Sequence, residues 1–451
     1  MDRPTQLRRL GLFDARVPRY TSYPTANHFS DRIGPEDTAA WIAAIPEGSD
    51  ISLYIHIPFC RRLCWFCACR TQGTSKIAPV ETYLGVLKKE LRLLDEMLPK
   101  GVRLSRLHWG GGTPTLLSAD MITDLAEAIV AVAPLSDTAE FSVEIDPNEI
   151  DDSRMDALTK VGMNRASIGV QDFDPEIQTA IGRMQSFEVT KAAVDGLRKR
   201  GLRSLNCDIL YGLPHQTESG IADSVQKLLS LSPDRVALYG YAHVPWMARR
   251  QTMIPSEALP TPEARLALFE VARKLFVWDG YSEIGIDHFA RPGDGLDSAE
   301  KNGTLKRNFQ GYTDDPADVL IGVGASAISR YPQGFAQNNP STSRYHSAIE
   351  EGHLATSRGH EFTEDDRIRA EMIERLMCTF GLDIAEVATR LGVDKTEIST
   401  RLDGIEAAFP GAVGRTAAGI KIRQNARSLT RMVARYIDAY AVNQERHSPA
   451  I

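Results

Sequence analysis

The sequence predicts an α/β protein: a partial (β/α)6 barrel with an N-terminal arm and a C-terminal, mostly helical domain. Two observations carry this. Between Ile51 and Trp278, six short β-rich runs alternate with six helical periodicities, which implies a parallel sheet with right-handed crossovers. After about Phe362 that alternation stops and helical segments take over. Full closure of six strands is uncommon, so the barrel is expected to stay open. The expected divisions are an arm over 1–50, the barrel region over 51–361 and the helical domain over 362–451.

The elements follow in order. Leu53–Ile57 reads as a strand ending at Pro58, since proline cannot donate to a sheet. Leu84, Leu87, Leu91, Leu94 and Leu98 then recur at helical spacing. Leu104–Trp109 is the second strand and Gly110–Gly112 its turn, followed by a helix from Ser118, a good N-cap, to Val132. Strand Glu140–Ile145 precedes a helix near 151–161, and strand Arg165–Val170 one near 187–199. Strand Leu205–Leu210 precedes a helix near 221–229, and strand Arg235–Tyr241 one near 262–278. In the C-terminal part, Thr363–Thr379, Ile384–Leu391 and Ser428–Asn443 read as helices, with a small hairpin over Ala412–Ile422. The arm is irregular and contains Pro and Tyr.

Composition narrows the class. The 451 residues are 43% hydrophobic and 25% charged, ordinary for a globular enzyme of more than one domain. A net charge of -7 argues against nucleic acid as a bulk partner. No run has the character of a signal peptide or a membrane span, so a cytoplasmic protein is expected. No heptad pattern argues for assembly, and a monomer is the expectation.

Polar residues gather where such a fold places chemistry, at the carboxyl ends of its strands. Glu144 ends the third strand and Gln171 the fourth, Asp208 lies late in the fifth, and Ala242-His243 follow the sixth. Glu144 in a barrel mouth suits hydrogen bonding to a ribose or an amine. Asp208 interrupts the apolar run Leu205–Leu210, and a buried carboxylate needs a partner. His56 reads equally as a core histidine or a site residue. Cys207 and Cys378 read as inert core thiols.

Four of the six cysteines, Cys60, Cys64, Cys67 and Cys69, fall in one loop after the first strand. A secreted disulfide framework would spread them along the chain; clustered thiols point to metal. Cysteines alone leave structural zinc and an iron–sulfur cluster both open. The C-x3-C-x2-C spacing in one loop resembles the radical S-adenosylmethionine (SAM) superfamily. That resemblance implies that Cys60, Cys64 and Cys67 hold a [4Fe–4S] cluster whose fourth iron chelates SAM, and that one electron cleaves it to a 5′-deoxyadenosyl radical. Cys69 should then lie outside the ligand set, as a buried thiol or as a substrate-side, candidate catalytic residue. Gly110-Gly-Gly-Thr-Pro114 resembles the superfamily's cofactor turn.

The match narrows with Arg19-Tyr-Thr-Ser-Tyr-Pro-Thr25, Tyr54-Ile-His-Ile-Pro-Phe-Cys60, His108-Trp-Gly-Gly-Gly-Thr-Pro-Thr115 and Gly169-Val-Gln-Asp-Phe173. Asp208-Ile-Leu-Tyr-Gly-Leu-Pro214, Gly285-Ile-Asp-His-Phe-Ala-Arg291 and Arg307-Asn-Phe-Gln-Gly-Tyr-Thr313 extend it. Together they resemble the oxygen-independent coproporphyrinogen III oxidases along nearly the whole chain. The resemblance implies a radical-SAM barrel and oxidative decarboxylation of two propionates of coproporphyrinogen III to the vinyls of protoporphyrinogen IX. It implies two bound SAM molecules, the first lined by Tyr54, Gly111, Glu144 and Ile328. Phe66, Gly112, Thr113, Gln171, Arg183, Asp208 and Ala242 match positions lining the second. Glu144 joins Cys69 as a candidate catalytic residue, and a reducing donor such as flavodoxin or ferredoxin is implied. The tetrapyrrole carries four carboxylates, for which Arg19, Arg291 and Arg307 are candidate partners. Alternatives are a related haem chaperone or a radical methyltransferase; the chaperone-like relatives usually lack the arm motif and the fourth loop cysteine.

Overall fold

The computed structural model describes residues 3–440 and 448–451. Six parallel strands form its centre: β1 (Asp50–Ile57), β2 (Arg103–Gly111), β3 (Leu135–Ile145), β4 (Arg165–Gln171), β5 (Ser204–Tyr211) and β6 (Arg235–Gly240). Later segments extend the sheet on both sides: β7 (Ser282–Ile284), β8 (His288–Ala290), β9 (Leu320–Val323), β10 (Ile328–Tyr331), β11 (Gly334–Asn338) and β12 (Thr356–Glu361). The order is β12-β11-β10-β9-β1-β2-β3-β4-β5-β6-β8-β7. Beyond the six strands read from sequence, β9 adds a seventh parallel strand on the free edge of β1. The remaining additions are antiparallel, so the barrel is partial.

Helices α1 (Ala78–Met97), α2 (Ala119–Val132), α3 (Asp152–Lys160), α4 (Phe187–Lys199), α5 (Glu218–Ser230) and α6 (Pro262–Trp278) return the chain between and after the strands. α2 to α6 each start at a side-chain cap: Ser118, Asp151, Ser186, Thr217 and Thr261 accept a backbone N–H of the first turn, satisfying a donor the helix leaves open.

Strand periodicity separates two environments. Leu53, Ile55, Leu107, Trp109, Phe141, Val143, Ile168, Cys207 and Leu238 point outward and form the main core against the helices. The alternate positions carry polar groups. Register pairs Tyr54 with His108, Glu144 with Ser167, and Gly169 with Asp208. The lumen is therefore polar. Lower down, Glu140 is ringed by Arg106, Arg165 and Arg235; burial opposes its charge, but these guanidiniums hold its carboxyl down at about 2.

A second core joins chain ends distant in sequence. Leu7, Leu12, Phe13, Val17, Tyr20 and Tyr23 of the arm pack with Ile368, Met372 and Leu376 of helix Glu364–Thr379 and with Leu429 and Val433. The predicted hairpin forms as Val413–Thr416 and Gly419–Ile422, with Gly381–Asp383 added. The last described helix is shorter than the sequence suggests, Thr430–Ile437 rather than 428–443. It stops where the Asp438 side chain accepts from Tyr20 Oη and from the Tyr440 N–H; residues 441–443 lie outside the described residues.

Candidate active site

The loop bearing Cys60, Cys64 and Cys67 leaves β1 and is pinned from several sides. The Gly112 and Thr113 N–H groups donate to the carbonyls of Ile57 and Phe59 at 2.8 and 2.7 Å, tying the turn after β2 to the end of β1 and the segment that leads to Cys60. A Cβ on Gly112 would lie 2.5 Å from the Phe59 oxygen, so only glycine allows this approach. Trp65 donates its N–H to the Ile181 carbonyl at 2.9 Å, and the Phe66 carbonyl accepts from Gln251 Nε2 at 2.8 Å. The same Gln251 nitrogen reaches the Ala242 carbonyl at 3.0 Å. Arg250 donates to the Cys69 carbonyl and to Thr71.

Glu144 occupies the mouth beside this loop. It accepts from the Gly111 N–H at 3.0 Å and lies 3.3 Å from His108 Nε2. Burial pushes its carboxyl up, but the His108 bond and charge and the Gly111 N–H outweigh that and hold it below its ordinary value. The Tyr54 ring stacks on His108 with centroids 5.7 Å apart. His56 is buried between Tyr54 and the Arg70 carbonyl. A carbonyl only accepts, so His56 Nε2 carries the proton and bare Nδ1 accepts from Tyr54 Oη at 3.0 Å. Burial lowers its pKa and keeps that ring neutral. His56 is thus a satisfied positioning residue that orients Tyr54.

Across the lumen, Asp208 accepts from Asn206 Nδ2 at 2.8 Å. Burial and the charge of Glu144 push its carboxyl up to about 6 against the opposing Asn206 bond. Arg183 donates to the Gly169 carbonyl at 2.9 Å, lies 3.5 Å from Cys64 Sγ and faces Asp146 at 3.8 Å. Gln171 ends β4 with φ +67, a left-handed residue at the strand's carboxyl end. Ile328 begins β10; a Cβ on Gly322, the residue paired with Tyr54, would sit 2.6 Å from its carbonyl. Tyr54, Gly111, Gly112, Thr113, Glu144, Gln171, Asp208 and Ala242 lie in the carboxyl halves of β1–β6 or just past them, and Arg183, from beyond helix Pro175–Ala180, joins them through its bond to Gly169. Cys69 is exposed, not buried, and its N–H lies 3.4 Å from Cys67 Sγ; Cys207 and Cys378 are fully buried.

The arginine candidates separate. Arg19 reaches the mouth and donates to the Gly240 carbonyl at 2.7 Å. Arg307 is paired with Asp287 through both nitrogens at 3.3 and 3.2 Å. Arg291 is at the other end: β8 runs antiparallel to β6, so Ala290 pairs with Arg235 at the start of β6 and the Arg291 N–H bonds Asp234. Sequence reasoning had no reason to single out His108, Gln251 and Arg250, although His108 lies in a quoted motif.

Residues 54–228 match the radical SAM superfamily and residues 362–406 the HemN C-terminal domain. An oxygen-independent coproporphyrinogen III oxidase of Paracoccus denitrificans is 62% identical over 451 residues, covering 100% of both chains. The chain belongs to the oxygen-independent coproporphyrinogen III oxidase family. The Escherichia coli member is 37% identical over 95% of this chain and 94% of its own. The solved structure of the E. coli coproporphyrinogen III oxidase, described as a radical SAM enzyme, superposes with a TM-score of 0.89 at 36% identity, covering 94% of this chain and 98% of its own.

As a radical SAM family this one carries a [4Fe–4S] cluster and SAM, and the loop fits that cluster. Cys60, Cys64 and Cys67 are free thiols. Three soft thiolates in one loop suit the soft irons of such a cluster. The Arg183 guanidinium beside Cys64 compensates thiolate charge.

Proposed function

We propose that this chain catalyses the oxygen-independent oxidative decarboxylation of coproporphyrinogen III to protoporphyrinogen IX in haem biosynthesis. The observation that carries it is full-length 62% identity to the Paracoccus oxidase, supported by an intact polar barrel mouth. The cluster and SAM supply, when bound, the carbon radical needed to take an unactivated hydrogen. Each vinyl then requires loss of that hydrogen, one CO2 and one further electron from a propionate.

The chain's own residues bind, orient and exclude. Cys60, Cys64 and Cys67 would hold the cluster. Tyr54, Gly111, Glu144 and Ile328 line the first SAM; Phe66, Gly112, Thr113, Gln171, Arg183, Asp208 and Ala242 line a second. Glu144, charged at neutral pH, suits an ammonium or ribose partner. Exposed Cys69, outside the ligand set, is a candidate catalytic thiol. A monomer in the cytoplasm, served by a reduced flavodoxin or ferredoxin, completes the reading. Its divisions are an arm to residue 50, a catalytic region over 51–361 and a C-terminal domain from 362. The separation of the two large cores supports the last boundary.

Anaerobic turnover tests this: reconstituted protein, reductant, SAM and coproporphyrinogen III should yield 5′-deoxyadenosine and protoporphyrinogen together. 5′-Deoxyadenosine without protoporphyrinogen would place the chain with the chaperone or methyltransferase branch. For the ligand set, Cys60→Ser, Cys64→Ser and Cys67→Ser should each lose the cluster's visible absorption, and Cys69→Ser should retain it. Retention in Cys67→Ser with loss in Cys69→Ser would overturn the assignment.

A further inference from the structure

Beside the mouth lies a cavity of about 500 Å³ between the carboxyl ends of β5 and β6, helix α6 and the C-terminal region. Its wall is cationic, with Arg19, Arg265, Arg307 and Arg431 among its lining residues. Arg307 has Asp287 as its counter-charge. Among the described residues, Arg19 and Arg431 form no ion pair and share with Arg307 only the longer-range charge of Asp287. Arg19 donates to the Gly240 carbonyl and Arg431 to those of Val17, Pro18, Pro449 and Ala450, while Arg265 donates to the carbonyls of Gly212 and Tyr241 and to an oxygen of Ile451, the last residue of the sequence.

Arg19 and Arg265 flank the same residue, since Arg265 Nη2 would lie 3.2 Å from a Cβ on Gly240. Guanidiniums withdrawn from water without an anion are costly, and neighbouring ones repel. Burial, with Arg19's charge next, lowers Arg431 to about 9, and burial lowers Arg265 and Arg19. Structural stability alone would favour a paired or apolar wall here.

We propose that this cavity is a carboxylate-binding subsite in which Arg19, Arg265 and Arg431 hold propionates of the tetrapyrrole that are not decarboxylated. The assignment rests on the function proposed above and deepens it. Only two of four carboxylates react, so two must be held while the reacting arm points at the cofactor. Guanidiniums suit this because their planar donor sets match carboxylates. Gly240 is two residues from Ala242, so the subsite adjoins the mouth.

Arg19 is the residue to test, because its single backbone bond makes it the least structural of the three. The cluster-loaded protein is titrated with coproporphyrin III, the stable oxidised macrocycle, and with its neutral tetraamide, following porphyrin fluorescence. Wild type should bind the acid at least tenfold more tightly than the amide. Arg19→Gln should lose about tenfold for the acid only, and Arg19→Lys should stay within about threefold of wild type. Thermal melts check that each variant is folded; an unfolded Arg19→Gln is replaced by Arg265→Lys, for which about tenfold weaker acid binding is expected. A folded Arg19→Gln that binds the acid like wild type overturns the subsite, as does wild type binding acid and amide alike, whether or not it turns over coproporphyrinogen III. Arginine-dependent binding without conversion supports the anion subsite and overturns the catalytic reading instead.

Discussion

Asp208 shows at single-residue scale how the site sacrifices stability. Its carboxyl sits at about 6 in the fold, above the 3.8 of an unperturbed aspartate. A carboxyl raised by folding binds its proton more tightly in the native state, so its charge destabilises the fold above pH 6, and the cost fades as pH falls towards 4. Asp208→Asn keeps the acceptor that faces Asn206 and removes the charge. It should therefore be more stable than wild type at pH 8, by on the order of 2 kcal/mol, with the gap roughly halved at pH 5 in parallel melts and nearly closed at pH 4. Turnover should fall at least tenfold, because a buried charge kept at such cost serves a ligand. A gap unchanged between pH 8 and pH 4 would show that desolvation is not the cause. This carboxylate was legible in the sequence because it interrupts an apolar strand. His108 was not: on an alternating strand a polar residue reads as solvent-facing, and here the inward face is the polar lumen.

Among the elements, the turn after β2 and helix α1 give opposite outcomes for the same substitution. Gly112→Ala drives a Cβ to 2.5 Å from the Phe59 carbonyl, a backbone atom that cannot swing away. It should break the two hydrogen bonds that fix the cysteine loop and lower iron content after reconstitution. Gly85 is exposed in the middle of α1, and a Cβ there meets nothing within 4 Å. Gly85→Ala should stabilise the protein by about 0.5–1 kcal/mol through helix propensity and leave iron content unchanged. Equal iron content in the two variants would mean that the turn does not control the loop. The six central strands were legible because each combines outward apolar alternation with a helix behind it. β9 was not, having four residues and no flanking periodicity. Arg291 was placed in the site by its motif alone, and the antiparallel direction of β8, which no local pattern encodes, carries it to the opposite end.

At the scale of the whole molecule, the first half of the arm, Leu7 to Tyr23, belongs energetically to the opposite end of the chain, while Ile33, Trp41, Ile42 and Ile45 pack into the barrel core. Leu12 is fully buried among C-terminal residues, and Arg431 binds the carbonyls of Val17 and Pro18. Sequence periodicity is local and could not reveal a core shared by segments so far apart. The consequence is functional, because Arg19 follows this anchored stretch and reaches Gly240 only while the arm is docked. Leu12→Ala should cost about 2–5 kcal/mol, but within the second core, where the removed methyls were packed. Hydrogen exchange should show protection falling in Glu364–Thr379 and Thr430–Ile437 and persisting in β1 to β5, whose core is separate. Substrate affinity should weaken with it, as in Arg19→Gln, because a frayed arm withdraws the guanidinium from the cavity. If β1 to β5 lost protection equally, the two cores would be one cooperative unit. If affinity held while the arm exchanged freely, Arg19 would not depend on the docking for its place at the mouth.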